Sequence, residues 1–150
     1  MKKIILLVIL ISVFVVGCSV SKQKITTTQF IEFAAENEYE ILDKTKALKD
    51  PKIKKVILAK KNNECQIEFY KLKSITDAIY MFNDNKNIFK TSKNETSTYT
   101  YTNLSNYSLY SLTNESYYMY LCRVDDTLLY VKAPLEYKEE IEEFTKLIGY

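Results

Sequence analysis

The sequence predicts an α+β domain built on a single, mainly antiparallel sheet of about five to six strands with three helices packed on it. Three observations carry this expectation. Apolar residues switch repeatedly between a period near 3.6 and a period of 2, so helices and strands are interspersed. Short turns join the strand-like runs, and short turns connect antiparallel neighbours. The chain has 150 residues, 47% of them hydrophobic, which is one domain's worth of chain with enough apolar surface for a core.

The first helix is expected near residues 28–37, where Phe30, Phe33 and Ala34 fall at i, i+3 and i+4 and the threonines 26–28 offer an N-cap. Tyr39 to Leu42 either continues that helix or forms a short strand, and Lys49-Asp50-Pro51 interrupts it. Ile53–Lys60 and Cys65–Lys71 read as two strands joined by Asn62-Asn63, since Asn tolerates the positive φ of a tight hairpin. Cys65, Ile67 and Phe69 alternate with Gln66, Glu68 and Tyr70, giving one buried and one wet face. Ser74-Ile75-Thr76-Asp77 resembles a capping box and opens a helix with Ile75, Ala78, Ile79, Phe82 and Phe89 on one stripe, ending near Lys90.

Residues 91–116 hold 16 Ser, Thr or Asn among 26, a composition that suits a linker. Yet Thr98, Thr100 and Thr102 alternate with Tyr99 and Tyr101, and Tyr107–Leu112 is rich in β-formers, so strands with wet faces are expected after a loose start at 91–96. Strands at Tyr117–Val124 and Thr127–Lys132 follow, joined by Asp125-Asp126. Pro134 suits the first turn of a last helix, on which Tyr137, Ile141, Phe144 and Ile148 form the apolar stripe, and Gly149 is placed to cap it. Helix-plus-hairpin followed by helix-plus-hairpin is a faint duplication, with no identity between the halves to support it. The element order also loosely resembles the small αβα sandwiches of the PsbP type, a likeness that no motif carries and that implies no function.

Ahead of the domain, Met1-Lys2-Lys3 is basic, and Ile4–Val16 is a run of 13 residues with Ser12 its one polar member. A bilayer-spanning helix needs about 20 apolar residues, whereas a run of this length after positive charge is a signal-peptide core. The run ends in Val15-Val16-Gly17-Cys18. This resembles the lipobox of bacterial lipoproteins, in which the Cys carries a diacylglyceryl group and the signal is cut just before it. The resemblance covers residues 1–18 only. It implies a signal peptide at 1–17, cleavage between Gly17 and Cys18, lipidation of Cys18, a tether at 18–27 and a domain at 28–150. It also implies a location on the extracytoplasmic face of the cell membrane. Two acyl chains anchor stably where one does not. Cleavage would remove two lysines from 21 basic residues, leaving 19 against 19 acids. A neutral mature chain gives no case for a general nucleic-acid binder.

The chain has no His, which excludes His-based catalysis and His-ligated metals, and Gly149 is the last of only two glycines, so no glycine-rich phosphate cradle exists. No metal-ligand spacing and no cofactor motif is present. Cys65 and Cys122 either form a disulfide, which a location outside the cytoplasm permits, or are buried thiols. Glu64, Glu68 and the Asp125-Asp126 pair raise a carboxylate-based hydrolase as an alternative, although neighbouring strand residues point to opposite faces, turn chemistry explains Asp125-Asp126 more simply, and the glutamates of the last helix form a solvated face. The most unusual feature is 13 tyrosines, with Tyr99, Tyr101, Tyr107, Tyr110, Tyr117, Tyr118 and Tyr120 crowding one stretch. Alternation puts Tyr99 with Tyr101, and Tyr118 with Tyr120. They form either a binding patch or simply a sheet rich in Tyr. The expectation is therefore a lipid-anchored envelope protein whose domain binds an envelope protein or ligand without catalysis. The alternatives are a small hydrolase of envelope polymers and an accessory subunit of an envelope complex.

Overall fold

The computed structural model describes residues 21–62 and 64–150. The expected signal peptide, with the expected cleavage and lipidation residues Gly17 and Cys18, lies outside the described residues. Among those described, no helix is long and apolar enough to cross a membrane.

One open antiparallel sheet of seven strands organises the chain. In chain order the strands are β1 (Glu40–Asp43), β2 (Ile53–Lys61), β3 (Cys65–Leu72), β4 (Thr98–Asn103), β5 (Tyr107–Thr113), β6 (Tyr117–Val124) and β7 (Thr127–Pro134). The helices are α1 (Thr27–Glu36), α2 (Ile75–Thr91) and α3 (Lys138–Leu147), the last preceded by a 3-10 turn at Leu135–Tyr137. The spatial order is β1-β2-β3-β7-β6-β5-β4, two meanders joined where β3 meets β7. The expected five to six strands is slightly low. Glu40–Asp43 is the extra one, and four residues are too few to show a period. Asn62 and Asp125 take positive φ in the two hairpin turns, at 55° and 51°.

Helices cover both faces. On the first face, α1 and α3 enclose one cluster, with Phe30 stacked on Phe69 at 4.8 Å between ring centroids and Phe144 edge-on to both Phe30 and Phe33. On the second face, α2 packs Ala78, Phe82 and Phe89 onto Leu112, Leu121 and Leu128. Ile75 and Ile79, expected on that buried stripe, are exposed instead. The buried stripe is narrower than the apolar one, because a single helix on an open sheet seats only the residues aimed directly at it. The helices also argue against a duplication. A rotation exchanging two antiparallel meanders within one sheet keeps their helices on one face, but α1 and α2 lie on opposite faces.

The turns Ser105-Asn106 and Asp125-Asp126 lie at one end of the sheet, here called basal, where the chain enters from its N-terminal side. Asn106 Nδ2 donates to the Lys22 carbonyl (2.8 Å), the Lys22 ammonium sits 4.5 Å from the Tyr107 ring centre, and Lys24 pairs with Asp126 at 2.8 Å. Lys71 pairs with the other Asp126 oxygen. Those lysines hold the Asp126 carboxyl below the usual carboxylate range despite its burial. The stretch expected to be a tether is therefore fastened to the domain from Lys22 onward, and Thr26 and Gln29 close a capping box on α1.

Arg123 braces this end. It is 2% exposed and projects onto the second face. Its guanidinium donates to the Ser108 hydroxyl (3.1 Å) and to the Asp125 carbonyl (3.2 Å). Ser108 in turn donates to Asn103 (2.7 Å). This buried cation is held by a hydroxyl and carbonyls, forms no ion pair among the described residues, and ties three strands and a turn together.

Candidate functional site

α2 lies along the middle of the second face and leaves a groove on each side. The two grooves have opposite character. Towards β2 and β3 the walls carry Asp50, Asp77 and Asp84 against Lys52, around a space of about 160 Å³. Towards β4 the walls are Lys86, Lys90 and Lys93 of the helix and its C-terminal turn, with Tyr99, Tyr101 and Tyr110 of the sheet. That groove measures about 370 Å³, and no carboxylate lines it.

The sequence builds the second groove from simple periodicities. Lysines at i, i+4 and i+7 stack along one side of a helix once Phe82 and Phe89 fix its buried side. Tyr99 and Tyr101 project from the same side of β4, with Tyr101 opposite Tyr110 in the register. Tyr110 is buried, and the two β4 rings lean on it at 6.2 and 6.3 Å between centroids. The Lys93 ammonium sits 4.1 Å from the Tyr99 ring centre, and that of Lys86 sits 4.7 Å from Tyr101. Such contacts position a cation over a ring without neutralising it. Five ion pairs join other lysines to carboxylates among the described residues, and none involves these three.

The proposed tyrosine patch is split by the fold. Tyr99 and Tyr101 are 56% and 48% exposed, and they line the basic groove. Tyr118 and Tyr120 lie on the opposite face, 3% and 6% exposed, facing Glu142 and Thr145 of α3. The physical reason is the pleat. Tyr120 pairs with Ser111, which pairs with Thr100, so it shares a face with the threonines of β4 and not with its tyrosines.

The disulfide also gives way to its alternative. Cys65 and Cys122 are free, buried thiols. Cys122 is opposite Leu129, which is opposite Phe69, so the two cysteines are two strands apart and four residues out of register. That separation is about 16 Å at ordinary strand spacing, far beyond bridging distance. Burial pushes the Cys65 thiol up to about 11 and that of Cys122 up to about 12.

Two of the acids named as catalytic candidates have local partners. Asp126 is held between Lys24 and Lys71, and Glu68 accepts from Tyr70 and Gln66. Asp125 supplies the positive φ of its turn. No group of three or more Asp, Glu or Cys positioned for a metal occurs among the described residues.

Sequence reasoning found Tyr99 and Tyr101 and missed the lysines that complete their groove. Spacings of four and three in a helix already aligned by its phenylalanines were the available signal. A comparison with protein-family models, curated proteins and solved structures returns no match to this chain.

Proposed function

We propose that this chain is a lipid-anchored protein of the bacterial envelope, exposed on the extracytoplasmic face. Its domain is a non-enzymatic binding module that engages an envelope partner through the groove between α2 and β4. The groove carries the reading: three lysines without an ion-paired acid line it together with two half-exposed tyrosines, and no carboxylate is among its walls.

The N-terminal segment supports the anchoring half. Lys22 is fastened to the basal end, and four residues of chain reach at most about 14 Å. A lipid on Cys18 would hold the basal end close to the bilayer. α2 runs from Ser74 beside that end towards the opposite one, so Lys90, Lys93 and Tyr99 would face away from the membrane.

Fractionation of cells producing the wild-type chain and Cys18→Ala tests the anchor. The wild type should be processed and membrane-bound, and the variant should retain its signal and lose lipid labelling. Equal processing and equal lipid labelling of the two would contradict the reading.

A further inference from the structure

We propose that an extended acidic segment of a partner protein adds to the sheet as a strand beside β4, with its acidic side chains in the lysine groove. The inference rests on reading that groove as a binding surface, and names the partner's chemistry.

Two independent observations meet at β4. The first is its edge, which pairs with no other strand among the described residues. The Leu104 N–H donates to the Tyr107 carbonyl (2.7 Å), and hydrogen-bonded pairs recur at every second residue of an antiparallel ladder. Thr102, Thr100 and Thr98 therefore bond to Leu109, Ser111 and Thr113 of β5. The backbone N–H and C=O groups of Tyr99 and Tyr101 point the other way, to the open side of the sheet. The bond from Asn114 N–H to the Tyr117 carbonyl sets the same alternation on β5, whose remaining residues turn to β6.

Proteins ordinarily blunt such edges with short strands, strand lysines, proline or a bulge. The opposite edge, β1, has four residues and an acid at each end. β4 has six residues, reads Thr-Tyr-Thr-Tyr-Thr-Asn, and pairs with β5 without a register shift. It is long enough for strand addition and carries no lysine, proline or bulge of its own.

The second observation is charge. Lys86 and Lys93 reach over Tyr101 and Tyr99 and so stand above this same edge. A strand added there would place alternate side chains on the groove face. Acidic side chains at those positions would meet the ammonium groups, and the backbone would bond to Tyr99 and Tyr101. A second copy of this chain is a poor occupant. Two β4 edges joined antiparallel are related by an axis normal to the sheet, which brings both lysine sets together on one face.

The probe is a synthetic peptide alternating Glu and Thr, compared with a Gln-and-Thr counterpart and with inorganic polyphosphate. The receptor is the full chain in detergent. Hydrogen exchange resolved by residue reads the backbone. The Glu peptide should bind about tenfold or more tightly than the Gln peptide. It should protect the amides of Tyr99 and Tyr101 and leave those of Thr100 and Thr102 as they were. Replacing Lys86, Lys90 and Lys93 by Gln should abolish the preference for Glu. Equal binding of the two peptides would overturn the proposal. So would binding of polyphosphate or the Glu peptide with Tyr99 and Tyr101 amides still exchanging freely. The polyphosphate outcome would leave the binding-module reading standing, and binding of none of the probes would count against both.

Discussion

The two faces of the sheet are built from similar residues and finished differently. The first is more fully covered, by two helices, with Phe30, Phe69, Phe144 and Tyr39 packed ring against ring and Tyr118 and Tyr120 buried beside α3, at the floor of a shallow space of about 340 Å³ that opens towards Thr100. The second carries one helix, which covers the centre and leaves a groove along each flank. Tyrosine illustrates the consequence. Under α3 it is a core residue, and beside α2 it lines a groove accessible from outside. What a residue type does here is decided by how many helices share its face, so the closed face should dominate stability and the open face should supply contacts.

Substitutions can break that division, beginning with the closed face. Phe69→Ala removes the ring stacked on Phe30 and should cost about 3–5 kcal/mol in denaturant unfolding. A loss below about 1 kcal/mol would mean that the first face is not the stabilising one.

Alkali should act on the closed face collectively. Cys65, Cys122 and Tyr107 are held protonated by burial, with their pKa values raised to about 11, about 12 and about 12. Groups raised in the fold contribute fully below their unfolded pKa and lose that contribution as pH climbs towards the folded value. Unfolded thiols titrate near 8.5 and phenols near 10. Stability should therefore fall from about pH 8.5 upward, more steeply beyond pH 10. A flat denaturation midpoint between neutrality and about pH 11 would contradict the burial of these groups.

Arg123 belongs to the open face but braces the basal end. Arg123→Ala should cost about 2–3 kcal/mol, from the cavity and from carbonyls left without a donor. It should also speed proteolysis at Lys22 and Lys24, which are attached to the turns that Arg123 holds. The smallest effect belongs to the groove. Lys86, Lys90 and Lys93 replaced together by Gln should change unfolding by no more than about 2 kcal/mol, since each exposed cation–ring contact contributes about 0.5–1 kcal/mol at most. A larger loss would make these lysines structural.

Much of the architecture was legible in the residues. Phe82 and Phe89 at helical spacing, the Cys65-Ile67-Phe69 alternation and the Tyr137-to-Ile148 stripe each buried the side that periodicity indicated. Glu40–Asp43 suits helix or strand equally as a sequence, because four residues carry no period. The tyrosines were harder for a different reason. Alternation within a strand says which residues share a face, but only the register between β4, β5 and β6 says whether two strands present their tyrosines to the same side. The lysines of α2 stand at helical spacing, but nothing in their own segment shows that β4, the next strand in the chain, comes to lie beside them. Arg123 sits within a run of apolar residues, and its burial depends on carbonyls from two turns that converge only in the fold.

The central claim is that the flank of α2 facing β4 is the working surface. Site-specific photo-crosslinking in cells tests it most directly, with the crosslinker placed at Tyr99 in one groove and at Tyr80 in the other. The account predicts a discrete crosslinked product from position 99, absent from position 80 and lost when Lys86, Lys90 and Lys93 are Gln. A product from position 80 with none from position 99, or one from position 99 that persists without the three lysines, would contradict it.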